Sequence, residues 1–242
     1  MTVNNNKSPV LDVFLNGDVG RLHIKYQHGS SPSSPSVLIL HPDTRCGGNA
    51  DNNVVKLLGD TFASIGFSVV RLNFRGAGRS DGKFDGNEEV RDAAIALDWL
   101  RSQNVESSHF WVVGFSFGTW IGANLMMRRP EIEGFVFLSP FISEKHNFTF
   151  LAPCPASGLI VYGENDKIVH EGDVSDIVTF LNNQNENVVD YIKIPAASHN
   201  FVNCDEKLVE EVDRYVNMIL AMRVPKPVRK KRRRRKKKDS II

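Results

Sequence analysis

Eight short runs of apolar or alternating residues punctuate the chain, at 11–15, 22–26, 37–40, 67–74, 110–113, 134–138, 159–162 and 189–194. They predict eight strands. The first two runs are interrupted by polar residues and joined by Asn16-Gly17-Asp18, the pattern of an edge hairpin. The middle runs are almost wholly apolar, as in a parallel sheet covered on both faces. From the third run onward, most gaps carry apolar residues at helical spacing. Val54, Val55, Leu58, Phe62 and Ile65 precede Gly66, a natural helix stop. Val90, Ala93, Ala94, Leu97 and Leu100 give a second helix, Val174, Ile177, Val178 and Leu181 a third, and Leu208, Val209, Val212, Tyr215, Val216, Ile219 and Leu220 the last. Such alternation predicts a mostly parallel sheet with right-handed crossovers and a functional site in the loops beyond the carboxyl ends of the strands. Residues 30–36, rich in Ser and Pro, read as a surface loop, and residues 140–157, which lie between consecutive strands without a clear helix, as the one candidate lid.

Composition narrows the class without naming a reaction. With 41% hydrophobic and 24% charged residues the 242-residue chain has an ordinary globular make-up, consistent with one catalytic domain. The start of the chain, 1–9, is polar and reads as flexible, without the basic and apolar pattern of a secretory signal, and no apolar run is long enough to span a bilayer. A cytoplasmic protein is expected. Cys46, Cys154 and Cys204 are odd in number and far apart, which fits reduced thiols and gives no zinc site, and neither metal nor cofactor is expected. The net charge of +2 hides an asymmetry. Residues 226–242 hold eleven Lys or Arg and one Asp, so residues 1–225 carry a formal −8. All ten residues from Arg229 to Lys238 are basic, and such a run repels itself too strongly to pack. With Pro225 and Pro227 before it, 223–242 reads as a disordered polybasic tail. It is either a solubilising appendage or an attachment to nucleic acid or an anionic membrane through 229–238. The terminal Asp-Ser-Ile-Ile has no cysteine, so prenylation is excluded.

The chemistry lies between these elements. Gly114-Phe115-Ser116-Phe117-Gly118 links a β-rich stretch directly to a helix former, the G-x-S-x-G pattern of a nucleophile elbow. The pentapeptide alone is weak evidence, since about one chain in ten of this length would hold it by chance. Its position between strand and helix gives it weight. A serine hydroxyl is a poor nucleophile at neutral pH and needs a base, which needs a carboxylate to fix its tautomer. His170 and His199 follow Ser116 in suitable loops. His199 sits between the last strand and last helix, whereas His170 opens a helical stretch as a surface residue. Asp166 follows the run 159–162 and would emerge at the same sheet edge as Ser116, with Glu164 as runner-up acid. The oxyanion formed on attack needs two donors. One is the Phe117 backbone N–H at the helix start. The other should follow the run 37–40, where Pro42 cannot donate, leaving the Asp43 N–H first and Thr44 second; His41 is then a structural anchor. Gly76-Ala77-Gly78-Arg79-Ser80-Asp81-Gly82 superficially matches a dinucleotide fingerprint, but its third glycine falls one residue late and no helix begins there, so it reads as a turn.

The order serine, acid, histidine, the elbow, His41-Pro42 and the loop Asn73-Phe74-Arg75-Gly76-Ala77-Gly78-Arg79-Ser80 together resemble the α/β-hydrolase superfamily over about residues 10–222. Within it the chain is similar to small bacterial cytosolic serine hydrolases without a cap. These commonly have a second His-Pro where this chain has Asp43-Thr44. The resemblance implies an eight-stranded α/β-hydrolase fold with helices on both faces, no large cap domain, and a positioning role for the strand-4 loop, with Arg75 paired to a carboxylate. The expected activity is hydrolysis of an ester, thioester or related acyl bond of a small-molecule substrate through an acyl-enzyme on Ser116. The alternatives are a peptidase or acyltransferase of the same fold, and an inactive binding module tethered by its basic tail.

Overall fold

The structure, a computed structural model, describes residues 8–183 and 187–223. In chain order it consists of β1 (Val10–Gly17), β2 (Gly20–Gln27), β3 (Ser36–Leu40), α1 (Asn53–Ile65), β4 (Ser68–Leu72), α2 (Glu89–Gln103), β5 (Phe110–Phe115), α3 (Phe117–Met126), β6 (Ile132–Leu138), β7 (Ser157–Gly163), α4 (Glu171–Asn182), β8 (Val189–Ile194) and α5 (Asp205–Arg223). The strands form one sheet in the order β1-β2-β4-β3-β5-β6-β7-β8. β2 runs antiparallel to both neighbours, and all other pairings are parallel.

The two-residue period of the strands divides the core in two. Leu38, Leu40 and Val112 point to the side covered by α2, α3 and α4, while Val37, Ile39, Trp111 and Val113 point to the side covered by α1 and α5. Because both faces are covered, the central strands tolerate no polar face, which is why their sequences are almost uninterruptedly apolar. α1 shows why these helices begin and stop where they do. The Asn52 side chain accepts from the N–H groups of Val54 and Val55, and Gly66 ends the helix at φ 107°.

Three expectations need correcting. The hairpin turn is the pair Asp18-Val19, because Gly17 already pairs with Gly20 in the ladder. The run 67–74 is a strand only over Ser68–Leu72, since the Phe74 N–H turns out of the ladder to reach His41 Nε2 at 3.1 Å. The segment 140–157 is a packed wall and not a lid. Its short 3₁₀ turn Phe148–Leu151 buries Phe148 and Leu151, and Trp120 of α3 meets the Phe148 and Phe150 rings at 5.7 and 5.3 Å. Among the described residues no helix is long and apolar enough to cross a membrane. The expectations for 1–7 and 224–242 lie outside the described residues.

Candidate active site

β5 runs into α3 through Ser116, whose backbone stands at φ 52°, ψ −117°. That left-handed φ is costly for a serine and is held by the Ser116 N–H donating to Leu138 O at 2.9 Å and the Thr119 hydroxyl donating to Ser116 O at 2.6 Å. The flanking glycines follow from contact distances. A Cβ on Gly114 would lie 2.6 Å from the Thr119 backbone, and one on Gly118 2.3 Å from Leu40 O, so strand and helix can approach only without them.

β7 and β8 bring up the partners. His199, in the turn between β8 and α5, places Nε2 3.1 Å from Ser116 Oγ and Nδ1 2.8 Å from Asp166 Oδ2. Asp166 lies just beyond β7. Its other oxygen accepts the N–H groups of Ile168 at 2.8 Å and Val169 at 3.0 Å, so Oδ2 is left for the imidazole. Burial alone would raise the Asp166 pKa, but the His199 hydrogen bond and the two amides outweigh it and hold the carboxyl below the usual range. An ionised Asp166 can only accept. The proton of a neutral His199 therefore sits on Nδ1, and the Nε2 lone pair faces the serine hydroxyl. Ser116 and His199 are both buried, and His199 packs against Phe115 at 5.4 Å between ring centres.

The runner-up acid is elsewhere. Glu164 accepts the Ala196 N–H at 2.9 Å and is exposed, so it braces the turn after β8. His170 is an exposed residue at the start of α4, as expected. A third histidine downstream of Ser116, His146, belongs to no motif that would single it out. It lies in the 140–157 wall, 6.0 Å from the Phe117 ring, with Nδ1 2.9 Å from Ser143 Oγ, and does not reach the serine.

A cavity of about 570 Å³ opens over Ser116, bounded by Asp43 and Phe117 on one side and by Phe141, Ile168 and Val202 at its apolar rim. Ile168 and Val202 are among the exposed large hydrophobic residues, a placement that no sequence motif reports. Among the described residues the backbone N–H groups of Phe117 and Asp43 donate to no other group. The Asp43 carboxylate turns away and accepts from Arg45 N at 2.7 Å and Arg45 Nη2 at 2.6 Å. Burial opposes its charge, but Arg45 prevails and holds the Asp43 carboxyl below its usual range. The Arg45 guanidinium in turn lies 4.6 Å over Phe84. Thr44 begins a short 3₁₀ turn. His41 is the anchor foreseen. Burial pushes its imidazole down to about 4, its Nε2 accepts the Phe74 N–H, and Nδ1 therefore carries the proton donated to Pro42 O at 2.6 Å. Arg75 pairs with the buried Asp92 at 2.7 Å, away from the cavity.

The family model for serine aminopeptidase S33 (Hydrolase_4) matches residues 36–157. The Rickettsia prowazekii protein RP471 is 42% identical over 208 residues, which cover 84% of this chain and 87% of that protein. The bovine lysophosphatidylserine lipase ABHD12 is 28% identical over 174 residues, but these span only 42% of its length. Among solved structures, Agrobacterium tumefaciens ATU1826 superposes with a TM-score of 0.84 at 42% identity, covering 90% of this chain and all of that one. Xanthomonas campestris XC6422, an α/β serine hydrolase without lid, superposes with a TM-score of 0.76 at 25% identity, covering 90% and 98%.

Proposed function

Since the chain belongs to the Hydrolase_4 family of α/β hydrolases, we propose that it is a serine hydrolase cleaving an ester, thioester or related acyl bond through an acyl-enzyme on Ser116. One observation carries the reading: the hydrogen-bonded line Asp166, His199, Ser116 ends on a hydroxyl beneath an open cavity. In this reading His199 Nε2 takes the Ser116 proton as Oγ bonds to the acyl carbon, and the carbonyl oxygen gains negative charge. The Phe117 and Asp43 N–H groups receive that charge. Collapse breaks the bond to the leaving alcohol or thiol, which His199 protonates. A water deprotonated by His199 then attacks the acyl-enzyme and releases the acid and Ser116.

The test is a panel of p-nitrophenyl esters and acyl thioesters of graded chain length. Because the family is named for a serine aminopeptidase and ABHD12 is a lysophosphatidylserine lipase, it includes an aminoacyl p-nitroanilide and lysophosphatidylserine. The expected result is turnover of esters or thioesters and labelling by a fluorophosphonate, both abolished in a folded Ser116→Ala protein. Undiminished turnover or labelling in that variant overturns the assignment, and a preference for the anilide moves it to a peptidase. The polybasic run 229–238 completes the reading as an electrostatic tether that plays no role in the chemistry.

A further inference from the structure

Asn73 stands immediately after β4, almost fully buried, and both ends of its amide are engaged. Oδ1 accepts the Ala50 N–H at 2.8 Å. A main-chain N–H can only donate, so this bond settles which way the amide faces. Nδ2 then donates to His23 Nδ1 at 2.8 Å. That nitrogen must accept, so the His23 proton is on Nε2, which donates to Asp12 Oδ1 at 3.0 Å. Asp12 is itself held by Lys25 Nζ at 3.5 Å and Arg79 Nη1 at 3.4 Å. A directed line of hydrogen bonds thus runs from the outer strand β1, through a buried histidine on β2, to the loop between β3 and α1.

That loop carries Asp43. Its turn is rigid in itself, because Asp43 O accepts the N–H groups of Cys46 and Gly48, both at 3.0 Å. It therefore moves as a unit, and where the Asp43 amide lies relative to Ser116 depends on the loop's two stems. His41 holds one stem through the Phe74 N–H, and Asn73 holds the other through the Ala50 N–H, beside Arg71 Nη1, which donates to Ala50 O at 2.8 Å. The two bonds come from consecutive residues, 73 and 74, which leave the sheet together.

We infer that Asn73 is a positioning residue of the hydrolytic reaction, fixing the Asp43 N–H over Ser116 by gripping Ala50, with His23 and Asp12 locking the orientation of its amide. The inference rests on the reading of Ser116 as nucleophile and Asp43 as oxyanion donor. A donor to the oxyanion acts mainly in the transition state, where its loss costs about 10²- to 10³-fold, and a displacement near 1 Å costs up to about 10²-fold. Disturbing Asn73 should thus lower kcat and leave KM nearly alone.

The experiment compares Asn73→Ser, whose hydroxyl is too short to reach Ala50, with Asn73→Asp, which keeps an acceptor for Ala50 and can take a proton-bearing His23 Nδ1 with its second oxygen. On the best p-nitrophenyl ester, Asn73→Ser is expected to lose about 10- to 100-fold in kcat with KM within about threefold. Asn73→Asp should stay within about fivefold of wild type. Circular dichroism and the thermal midpoint verify folding. A folded Asn73→Ser protein with kcat within about twofold of wild type overturns the proposal, as does equal impairment of both variants. If Asn73→Ser does not fold, His23→Asn, which keeps an acceptor near the Nδ1 position, against His23→Leu, which has none, carries the same test. Retained kcat in the first and a fall in the second supports the proposal, and equal kcat in both overturns it. Ser116→Ala separates the two levels. Activity surviving that change removes the underlying reading, whereas Ser116-dependent activity indifferent to Asn73 removes this inference alone.

Discussion

Asp166 keeps its charge in a buried place because three donors converge on it, His199 from one side and the Ile168 and Val169 amides from the other. Glu164, two residues earlier, has a single amide and open water around it. Asp166→Asn is therefore expected to lower kcat by about 10²- to 10⁴-fold, because an amide can present its NH₂ to Nδ1 and favour the wrong tautomer, while Glu164→Gln costs under about tenfold. Steady-state kinetics of the two purified variants check this, and the reverse ranking would move the acid to Glu164. Residues of this kind are legible in sequence because each follows a recognisable strand and their order along the chain is fixed by the fold. Asn73, His23 and Asp12 were not. They act through contacts between residues 11, 23 and 50 positions apart, and none belongs to a motif that names its partner. His146 belongs to no motif either, and only its aromatic neighbours bring it near Phe117.

At the scale of elements, the loop between β3 and α1 depends on a histidine that stays neutral. Unfolded, His41 takes up a proton below about 6.5, whereas the buried ring in the fold resists it until about 4. Between those values the unfolded chain binds more protons, so stability falls as pH falls through the window, by up to about 3 kcal/mol from this group. His41→Gln, which retains an acceptor for the Phe74 N–H, removes that titration. Its thermal midpoint should drop less steeply than that of wild type as pH is lowered from about 7 to about 4, even if it starts lower. Parallel curves would show that His41 titrates normally. The existence of the strands along the chain was readable here because a two-sided sheet demands apolar runs, and the end of α1 because Gly66 marks it. The limits of β4 and the packing of 140–157 were not. Hydrophobicity reports burial, and Phe74, Phe148 and Leu151 are buried outside any strand.

At the scale of the whole molecule, charge divides the chain in two, with the run 229–238 outside the described residues. Ten consecutive basic residues are attached to a chain whose remainder carries a formal −8. Every side chain of the Asp166, His199, Ser116 line and both candidate oxyanion donors lie between 43 and 199. Truncation after Val224 should therefore leave kcat on a small soluble ester within about twofold of full-length protein. Binding to anionic surfaces is where the tail should act. If all ten charges engaged duplex phosphates, log K would fall with log salt at a slope approaching about −9, and on an anionic bilayer each charge near the surface contributes about 1 kcal/mol at most. The acidic remainder of the chain opposes both, so the measured slope should be shallower. The deciding measurement is retention of full-length and truncated protein on RNA, duplex DNA and phosphatidylserine vesicles at two salt concentrations. Salt-sensitive retention of the full-length form alone supports a tether and identifies the surface. Equal and negligible retention of both forms on all three reduces the tail to a solubilising appendage.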